Sequence, residues 1–382
     1  MKNPLYFVLL PVFFLACRKD SAITPQSIPE KQWQFQSVTV GGLLGDAARG
    51  MAYYNNRLFL SGSTASAGNG MTDLYLVIAD TSLNILAEKY IGGAADDVGI
   101  SAYTTTNGVL LSGYTESFGN RQAWLVNVNV NGDTLWTKHY NITSSSVAFN
   151  VTADANGFYI VGNSADAYGS TDLLLIRTDL NGDTLWTKNY GGNLSELGTG
   201  IEILSNGELI IYAHTYSFGN GDRDLWLLKT NANGDSLQSL FIGGAGYEQP
   251  GYMNKTAAGK ILISAHYASN EPNHNFYNAM LDENLTILWQ YESGGMMHDG
   301  SEDIIESDNG FFSIGPSMSQ FSTDSDVMVT ELKSDGSYNR TFYYDAGADE
   351  SVFQIIRTGN SFYLSGTKTT GGNQDVLVVK MK

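Results

Sequence analysis

Beyond residue 32, the chain alternates short runs of apolar and β-branched residues with turns rich in Gly, Asn and Ser. No stretch keeps the apolar period of an amphipathic helix. Asn-Gly pairs, such as Asn156-Gly157 and Asn206-Gly207, stand between neighbouring runs and favour the backbone conformation that tight hairpins need. The pattern therefore predicts an all-β protein built from short antiparallel strands.

The same pattern recurs every 49 to 52 residues. The segment NGDTLWTK occurs at 131–138 and again at 181–188. A second marker is a strand that ends in a small residue and is followed by a polar turn and another strand. Its anchors are Gly62, Gly113, Gly162, Ala213, Ala265, Gly315 and Gly366. The 350 residues from Trp33 to Lys382 make seven units of 50. Four short strands in each unit of this length are typical of a β-propeller blade.

The two ends of the repeat array complement each other. The last unit ends at Lys382 after its third strand, whereas Trp33–Val40 precedes the first unit as an extra strand. Together they complete one blade, so we expect the N-terminal strand to close the ring and to bury Trp33 and Phe35. The sequence thus predicts a seven-bladed β-propeller of four-stranded antiparallel blades over residues 33–382.

The first 32 residues have a different character. Lys2 precedes an apolar run, Leu5–Ala16, which is shorter than the ~20 residues that span a bilayer and fits the apolar region of a signal peptide. The only Cys of the chain, Cys17, follows this run and begins a polar stretch. We expect a signal peptide over 1–16 and a flexible linker over 17–32 that begins with a lipidated Cys17. An ordinary signal peptide with a chance Cys nearby is the alternative.

Three resemblances extend this interpretation. The end of the apolar run at Cys17 resembles the lipobox of bacterial lipoproteins, in which the Cys carries fatty acids such as palmitate and becomes the mature N-terminus. The order Tyr-x-Gly-Gly-x-x-x-Asp, Asn-Gly, Ser-Gly-x-Thr-x-Ser, Asp-x-x-Leu resembles the SBBP-type seven-bladed propeller repeats of bacterial exported proteins. Arg18-Lys19-Asp20 is similar to the sequence after the Cys in lipoproteins of the Bacteroidota. These resemblances imply an outer-membrane lipoprotein, on either the periplasmic or the cell-surface side.

Composition narrows the classes of function. The formal net charge is -18, with 21 Lys and Arg against 39 Asp and Glu, which argues against electrostatic binding of nucleic acid. A single Cys excludes an internal disulfide and a Cys-based zinc site. The chain also lacks the Gly-x-Ser-x-Gly, P-loop and His-Glu-x-x-His motifs.

Acidic residues recur at two positions of the repeat. One position follows a Gly-Gly pair in five units, at Asp46, Asp97, Glu196, Glu248 and Asp299, and a degenerate form with Gly347 alone precedes Glu350. The other precedes an apolar strand: Asp73, Asp172, Asp224, Asp326 and Asp375. Carboxylates around a channel mouth are able to bind Ca²⁺. A residue that recurs through the repeat is more typical of a turn cap that accepts backbone N–H groups. We therefore expect turn caps, with Ca²⁺ binding as the alternative.

Departures from the repeat are more informative than the repeat itself. The fourth and fifth units replace the anchor Gly with Ala213-His214 and Ala265-His266, and four of the five His residues fall in loops of one face. Imidazoles bind metals or transfer protons, but these spacings match no compact metal motif. The predicted ligand-binding residues are His214, His266, Tyr267, His274, His298 and Asp299. Drift in surface loops is the alternative, and we expect no metal or other cofactor.

The loops after the anchors and the Gly-Gly loops share one face of such a propeller, and the Asn-Gly turns lie on the other. Because the first face has longer and more variable loops, we expect the site there. The favoured function is non-catalytic: a monomeric platform, tethered to the membrane by lipid, that binds a protein partner or an envelope or extracellular glycan. The alternative is a carbohydrate-active enzyme, a lyase or hydrolase, with its site on the same face.

Overall fold

The computed structural model describes residues 33–165, 169–268, 274–294, 297–318 and 324–382. The predicted signal peptide (1–16), linker (17–32) and lipidated Cys17 lie outside these residues. Within them, no helix is long and apolar enough to cross a membrane. The strands are β1 (Phe35–Val40), β2 (Asp46–Tyr54), β3 (Arg57–Thr64), β4 (Asp73–Asp80), β5 (Ile85–Ile91), β6 (Asp97–Thr105), β7 (Gly108–Thr115), β8 (Gln122–Val128), β9 (Thr134–Tyr140), β10 (Ser145–Asp154), β11 (Gly157–Ala165), β12 (Thr171–Thr178), β13 (Thr184–Tyr190), β14 (Glu196–Ile203), β15 (Leu209–Thr215), β16 (Asp224–Thr230), β17 (Ser236–Ile242), β18 (Gln249–Lys255), β19 (Ile261–Tyr267), β20 (Asn275–Leu281), β21 (Ile287–Ser293), β22 (Asp303–Glu306), β23 (Gly310–Ser317), β24 (Asp326–Lys333), β25 (Tyr338–Tyr344), β26 (Asp349–Thr358), β27 (Ser361–Thr370) and β28 (Asn373–Met381).

These strands form seven four-stranded antiparallel sheets, which are the blades of a seven-bladed β-propeller. Blade 1 is β2–β5, blade 2 is β6–β9, blade 3 is β10–β13, blade 4 is β14–β17, blade 5 is β18–β21 and blade 6 is β22–β25. Blade 7 combines β26, β27 and β28 with β1. The predicted fold class is confirmed.

Burial along each blade follows from its place between two neighbours. The third strand of blade 1, β4, is buried at every position but its last, because blades cover both of its faces. In the outermost strand β5, half-buried and exposed residues alternate, and the strand carries the charged side chains of Glu88 and Lys89. The apolar core therefore lies between the blades. One cluster joins Leu58 and Leu60 of blade 1 to Tyr363 and Val376 of blade 7.

The N-terminal strand closes the ring, as predicted. Strand β1 pairs antiparallel with β28, with Phe35 opposite Met381 and Val40 opposite Val376. The strand begins at Phe35, two residues later than the predicted Trp33, and the pairing is extended by mutual backbone hydrogen bonds of 3.0 Å between Gln34 and Lys382. Phe35 is half-buried and not buried as expected, because its strand is the outermost of the blade and its ring lies against Phe342, 6.1 Å between centroids.

The repeated segment NGDTLWTK connects neighbouring blades through a hydrogen bond and an ion pair. Gly182, with φ at +79°, turns from the third to the fourth strand of blade 3, and its carbonyl accepts a 2.9 Å bond from the Tyr140 hydroxyl of blade 2. Asp183 of the same turn forms a 2.6 Å ion pair with Lys138. Asp179 of the same turn accepts the backbone N–H groups of Asn181 and Asp183. These turns form the face opposite the Gly-Gly loops.

Candidate functional site

The acidic residues after the Gly-Gly pairs lie at or near the start of the innermost strands and are buried. Asp46 accepts the N–H of Gly42 at 2.6 Å and the Ser66 hydroxyl at 2.9 Å. Asp97 accepts the N–H of Gly93 at 2.7 Å and likewise a serine hydroxyl, from Ser117 at 2.6 Å. These contacts are those of a turn cap that also ties the Gly-Gly loop to the loop after the second strand.

The acids of the two repeat positions meet in pairs between blades. A Cβ on Gly92 would lie 2.2 Å from Asp73 Oδ1 and 2.7 Å from Asp97 Oδ2. The two carboxylates therefore pack so closely against the backbone that only Gly fits at this position. Burial and the charge of Asp224 raise the pKa of Glu248 in the equivalent pair between blades 4 and 5 to about 7. The Gly-Gly motif is thus a requirement of this packing. The carboxylate pairs are part of the scaffold of the face.

The central channel contains a cavity of 670 Å³ on this face. Bulges in the innermost strands supply much of its wall: the register of β2 shifts at Arg49, that of β6 at Ile100 and that of β10 at Phe149. A bulge redirects a side chain out of the alternating pattern of its strand. Further wall residues at bulges are Thr199, Gly251, Tyr252 and Phe353. Bulges in six of the seven blades therefore supply much of the channel wall, and its chemistry changes around the ring because these residues differ from blade to blade.

Three arginines line this cavity: Arg49, Arg121 and Arg223. The guanidinium of Arg121 lies 4.2 Å from the centroid of Tyr114 and pairs with Glu116 at 2.7 Å. Arg223 is only 5% exposed, and its guanidinium lies 3.5 Å from the centroid of Tyr247. Such stacking holds a planar cation in place while its edge stays able to donate. The cavity is therefore a cationic site in an acidic protein.

His214 also lines the cavity, beside Arg223. Burial, reinforced by the positive charge of Arg223, lowers the pKa of His214 to about 3, so its imidazole is neutral near neutral pH. Its ring meets Tyr216 edge-on, with 5.7 Å between centroids. Its Nδ1 atom is buried and has no hydrogen-bond partner within the described parts of the chain. His214 thus contributes a neutral polar wall.

The other three predicted histidines come together between blades 5 and 6. His266, His274 and His298 each offer a ring nitrogen, and these nitrogens all lie within 4.8 Å of one another. The Nδ1 atoms of His274 and His298 are 3.0 Å apart. His266 is 7% exposed, and its Nε2 is 3.0 Å from Glu302 Oε1. Glu302 also lines the central cavity, so it lies between the histidine cluster and the channel.

The remaining two predicted residues have other surroundings. The ring of Tyr267 stacks on Tyr277 at 4.8 Å between centroids. Asp299 is buried and accepts a 2.6 Å hydrogen bond from Ser317. The fifth histidine of the chain, His139, stacks on Phe118 and contacts Gln122 away from the cluster.

Sequence reasoning missed the arginines and Glu302. Arg49, Ile100, Thr199, Glu302 and Phe353 each follow the acidic residue of their blade by three positions. That fixed spacing was the available signal, but a strand pattern alone does not show where a bulge turns a side chain into the channel.

No protein-family model matches the chain, and no curated protein matches its sequence. Solved structures share its fold at low identity. Drosophila Plexin A, in a complex with Semaphorin 1b, has a TM-score of 0.55 at 10% identity, over 90% of this chain and 87% of that one. Polysaccharide lyase Uly1 has a TM-score of 0.50 at 9% identity, over 90% of this chain and 91% of that one. A protein of unknown function from Bacteroides caccae has a TM-score of 0.45 at 12% identity, over 75% of this chain and 93% of that one. Since both enzymes and binding proteins are present, the likeness establishes the propeller fold alone.

Proposed function

We propose that this propeller is a binding platform whose central cavity takes an acidic glycan. The observation that carries the proposal is the placement of Arg49, Arg121 and Arg223 around one cavity in a chain of formal net charge -18. Guanidinium groups match carboxylates in a bidentate geometry, and a concave, partly dry site strengthens such pairs. A uronate carboxylate is the ligand group that suits these cations.

The shape of the site favours a sugar over a protein partner. A cavity of 670 Å³ lies in the range of small-molecule sites, about 300–1,000 Å³. Phe149, Tyr252 and Phe353 add aromatic surface to its wall, against which the apolar face of a sugar ring packs. A protein partner would instead use a broad, flat surface.

Binding is favoured over catalysis because two cavity groups are poorly suited to proton transfer. A general base works best with a pKa near the working pH. Burial lowers the pKa of His214 to about 3, and burial raises the pKa of Tyr252 well above its ordinary value. One is therefore a weak base and the other stays protonated. The alternative, a lyase or hydrolase, is tested in the same experiment.

The test is calorimetric titration of the full chain in detergent with oligogalacturonate and with its methyl ester, which keeps the sugar but removes the charge. We expect the acid to bind and the ester to bind at least tenfold more weakly. Arg49→Ala should weaken binding of the acid, whereas Arg357→Ala, an exposed arginine paired with Asp308, should not. Equal affinity for both ligands, or binding of neither, rejects the proposal. New reducing or unsaturated chain ends would establish the enzyme instead.

We further propose that the propeller is an SBBP-type repeat protein held at the outer membrane by lipid on Cys17. The sequence supports this, since the only thiol of the chain follows directly on the apolar run. A Cys17→Ala variant should lose labelled palmitate and leave the membrane fraction, while Ser21→Ala should behave like the parent. Retention of both label and membrane association in the Cys17→Ala variant would reject lipidation.

A further inference from the structure

We propose that His266, His274 and His298 bind a divalent transition-metal ion, with Zn²⁺ as the best fit. This inference reaches beyond glycan binding and does not depend on it. Three imidazoles from three separate chain segments converge between blades 5 and 6, with ring nitrogens within 4.8 Å of one another. Neutral imidazole is a preferred ligand of Zn²⁺, and three protein ligands with one open position form a common zinc arrangement.

The spacing of the nitrogens fits one ion. Two nitrogens that each lie about 2.0–2.1 Å from a tetrahedral Zn²⁺ are roughly 3.3 Å apart. The Nδ1 atoms of His274 and His298 are 3.0 Å apart, so small rotations of the rings bring them to that geometry. The centroids of His266 and His298 are 5.3 Å apart, and those of His266 and His274 are 6.1 Å apart. The third ring thus stands beside the other two.

The surroundings of His266 orient it as a ligand. Its Nε2 contacts Glu302 Oε1 at 3.0 Å, which leaves its other nitrogen, Nδ1, for a metal. A carboxylate behind a ligating imidazole fixes the ring and makes it a better donor. The ring lies against Gly300, where a Cβ would be 2.2 Å from His266 Cε1. Gly300 is therefore needed for this ring position, and any larger residue would displace it.

The proposed metal site lies close to the central channel. Glu302 contacts His266 and at the same time lines the central cavity. A zinc ion held by the three rings therefore lies one side chain away from the cavity wall. Its open position is suited to water or to an oxygen donor of a bound ligand.

The experiment is calorimetric titration of Zn²⁺ into the metal-free full chain, prepared with EDTA, together with Co²⁺ absorption spectroscopy. We expect one site per chain and the intense visible bands of tetrahedral Co²⁺. His274→Ala and His298→Ala should each weaken Zn²⁺ binding at least 100-fold, and Glu302→Gln by about 10–100-fold. His139→Ala is the matched control and should bind like the parent.

Circular dichroism of the metal-free variants establishes that they fold. A folded parent that binds no Zn²⁺, or a site whose affinity is unchanged in both His274→Ala and His298→Ala, overturns the proposal. If a variant does not fold, Gly300→Ala provides a second test, since displacement of His266 should also remove the Co²⁺ bands. No glycan enters these titrations, so their failure would leave the glycan proposal standing.

Discussion

Two neighbouring interfaces of the ring use the same backbone positions for different side chains. Between blades 4 and 5, the N–H of Glu248 bonds to the carbonyl of Arg223 at 2.9 Å. Between blades 5 and 6, the N–H of Asp299 bonds to the carbonyl of His274 at the same distance. The first interface carries His214, Arg223 and Tyr247 where the second carries His266, His274 and His298. A guanidinium stacked on Tyr247 lies in the first interface, and three imidazoles lie at the equivalent positions of the second.

The comparison shows that the residues that repeat from blade to blade and the residues of the proposed sites occupy different positions of each blade. Buried acids and the glycines beside them hold several interfaces in the same way, as Asp73, Gly92 and Asp97 show between blades 1 and 2. The residues that flank this frame face the channel or its rim and differ between interfaces. We propose that one scaffold supports an anion site and a metal site side by side.

The largest expected effect comes from opening the ring that keeps both interfaces in register. Deletion of residues 33–40 removes β1, exposes the edge of β28, and takes away Val38 and Val40, which pack on the cluster between blades 7 and 1. We expect a loss of about 3 kcal/mol or more and concentration-dependent aggregation, because large losses of packing cost this much and an exposed edge pairs with other chains. Denaturant unfolding and light scattering measure both.

The matched control for this deletion is removal of residues 20–30, a similar length of the predicted linker, which should unfold like the parent. A 33–40 deletion that stays monomeric and unfolds at the parent's denaturant concentration would show that β1 contributes little to closure.

Arg223→Ala should weaken glycan binding at the first interface and leave Zn²⁺ binding at the second nearly unchanged. Arg223 is buried and stacks on Tyr247, and its Nε donates a 2.8 Å bond to the Glu248 carbonyl. Removal of a buried charged partner costs about 2–5 kcal/mol of binding, so affinity for oligogalacturonate should fall at least 30-fold. Zn²⁺ affinity should stay within about threefold, since the histidine ligands are intact. A variant that loses metal and glycan together would show that the two sites are one.

His214→Phe tests the electrostatics of the first interface through pH. Burial lowers the pKa of His214 to about 3, while an unfolded His titrates near ~6.5. Below about pH 6.5 the unfolded chain binds a proton that the folded chain does not, so acidification destabilises the parent through this group. The parent should lose about 2 kcal/mol relative to the variant between about pH 7 and about pH 5. Urea unfolding at both values measures it, and parallel stability curves would contradict a buried, neutral His214.

Tyr267→Phe should have the smallest effect. The Tyr267 ring stacks on Tyr277, and the variant keeps the ring while it removes only the hydroxyl. We expect stability within about 0.5 kcal/mol of the parent and affinities for Zn²⁺ and oligogalacturonate within about twofold. A tenfold loss of either affinity would return Tyr267 to the binding residues that the sequence suggested.

The sequence was sufficient for the fold because its signals are local and repeat. Spacing of the anchors determined the number of blades, and the unpaired strand ahead of Asp46 indicated how the ring closes. The histidines could be selected because they interrupt that repeat. The spacing did not predict that they lie together, since His266 is in β19 and His274 and His298 precede β20 and β22, and only the ring geometry brings these segments together. Arg49 was missed because a bulge, and not the strand alternation, turns it into the channel.

The most direct test of the divergence between these interfaces is anomalous diffraction at the zinc edge from crystals of the protein soaked in Zn²⁺. The account predicts one strong peak within bonding distance of His266, His274 and His298, and none among His214, Arg223 and Tyr247. A peak among His214, Arg223 and Tyr247, or no peak at the three histidines at saturating Zn²⁺, would contradict it.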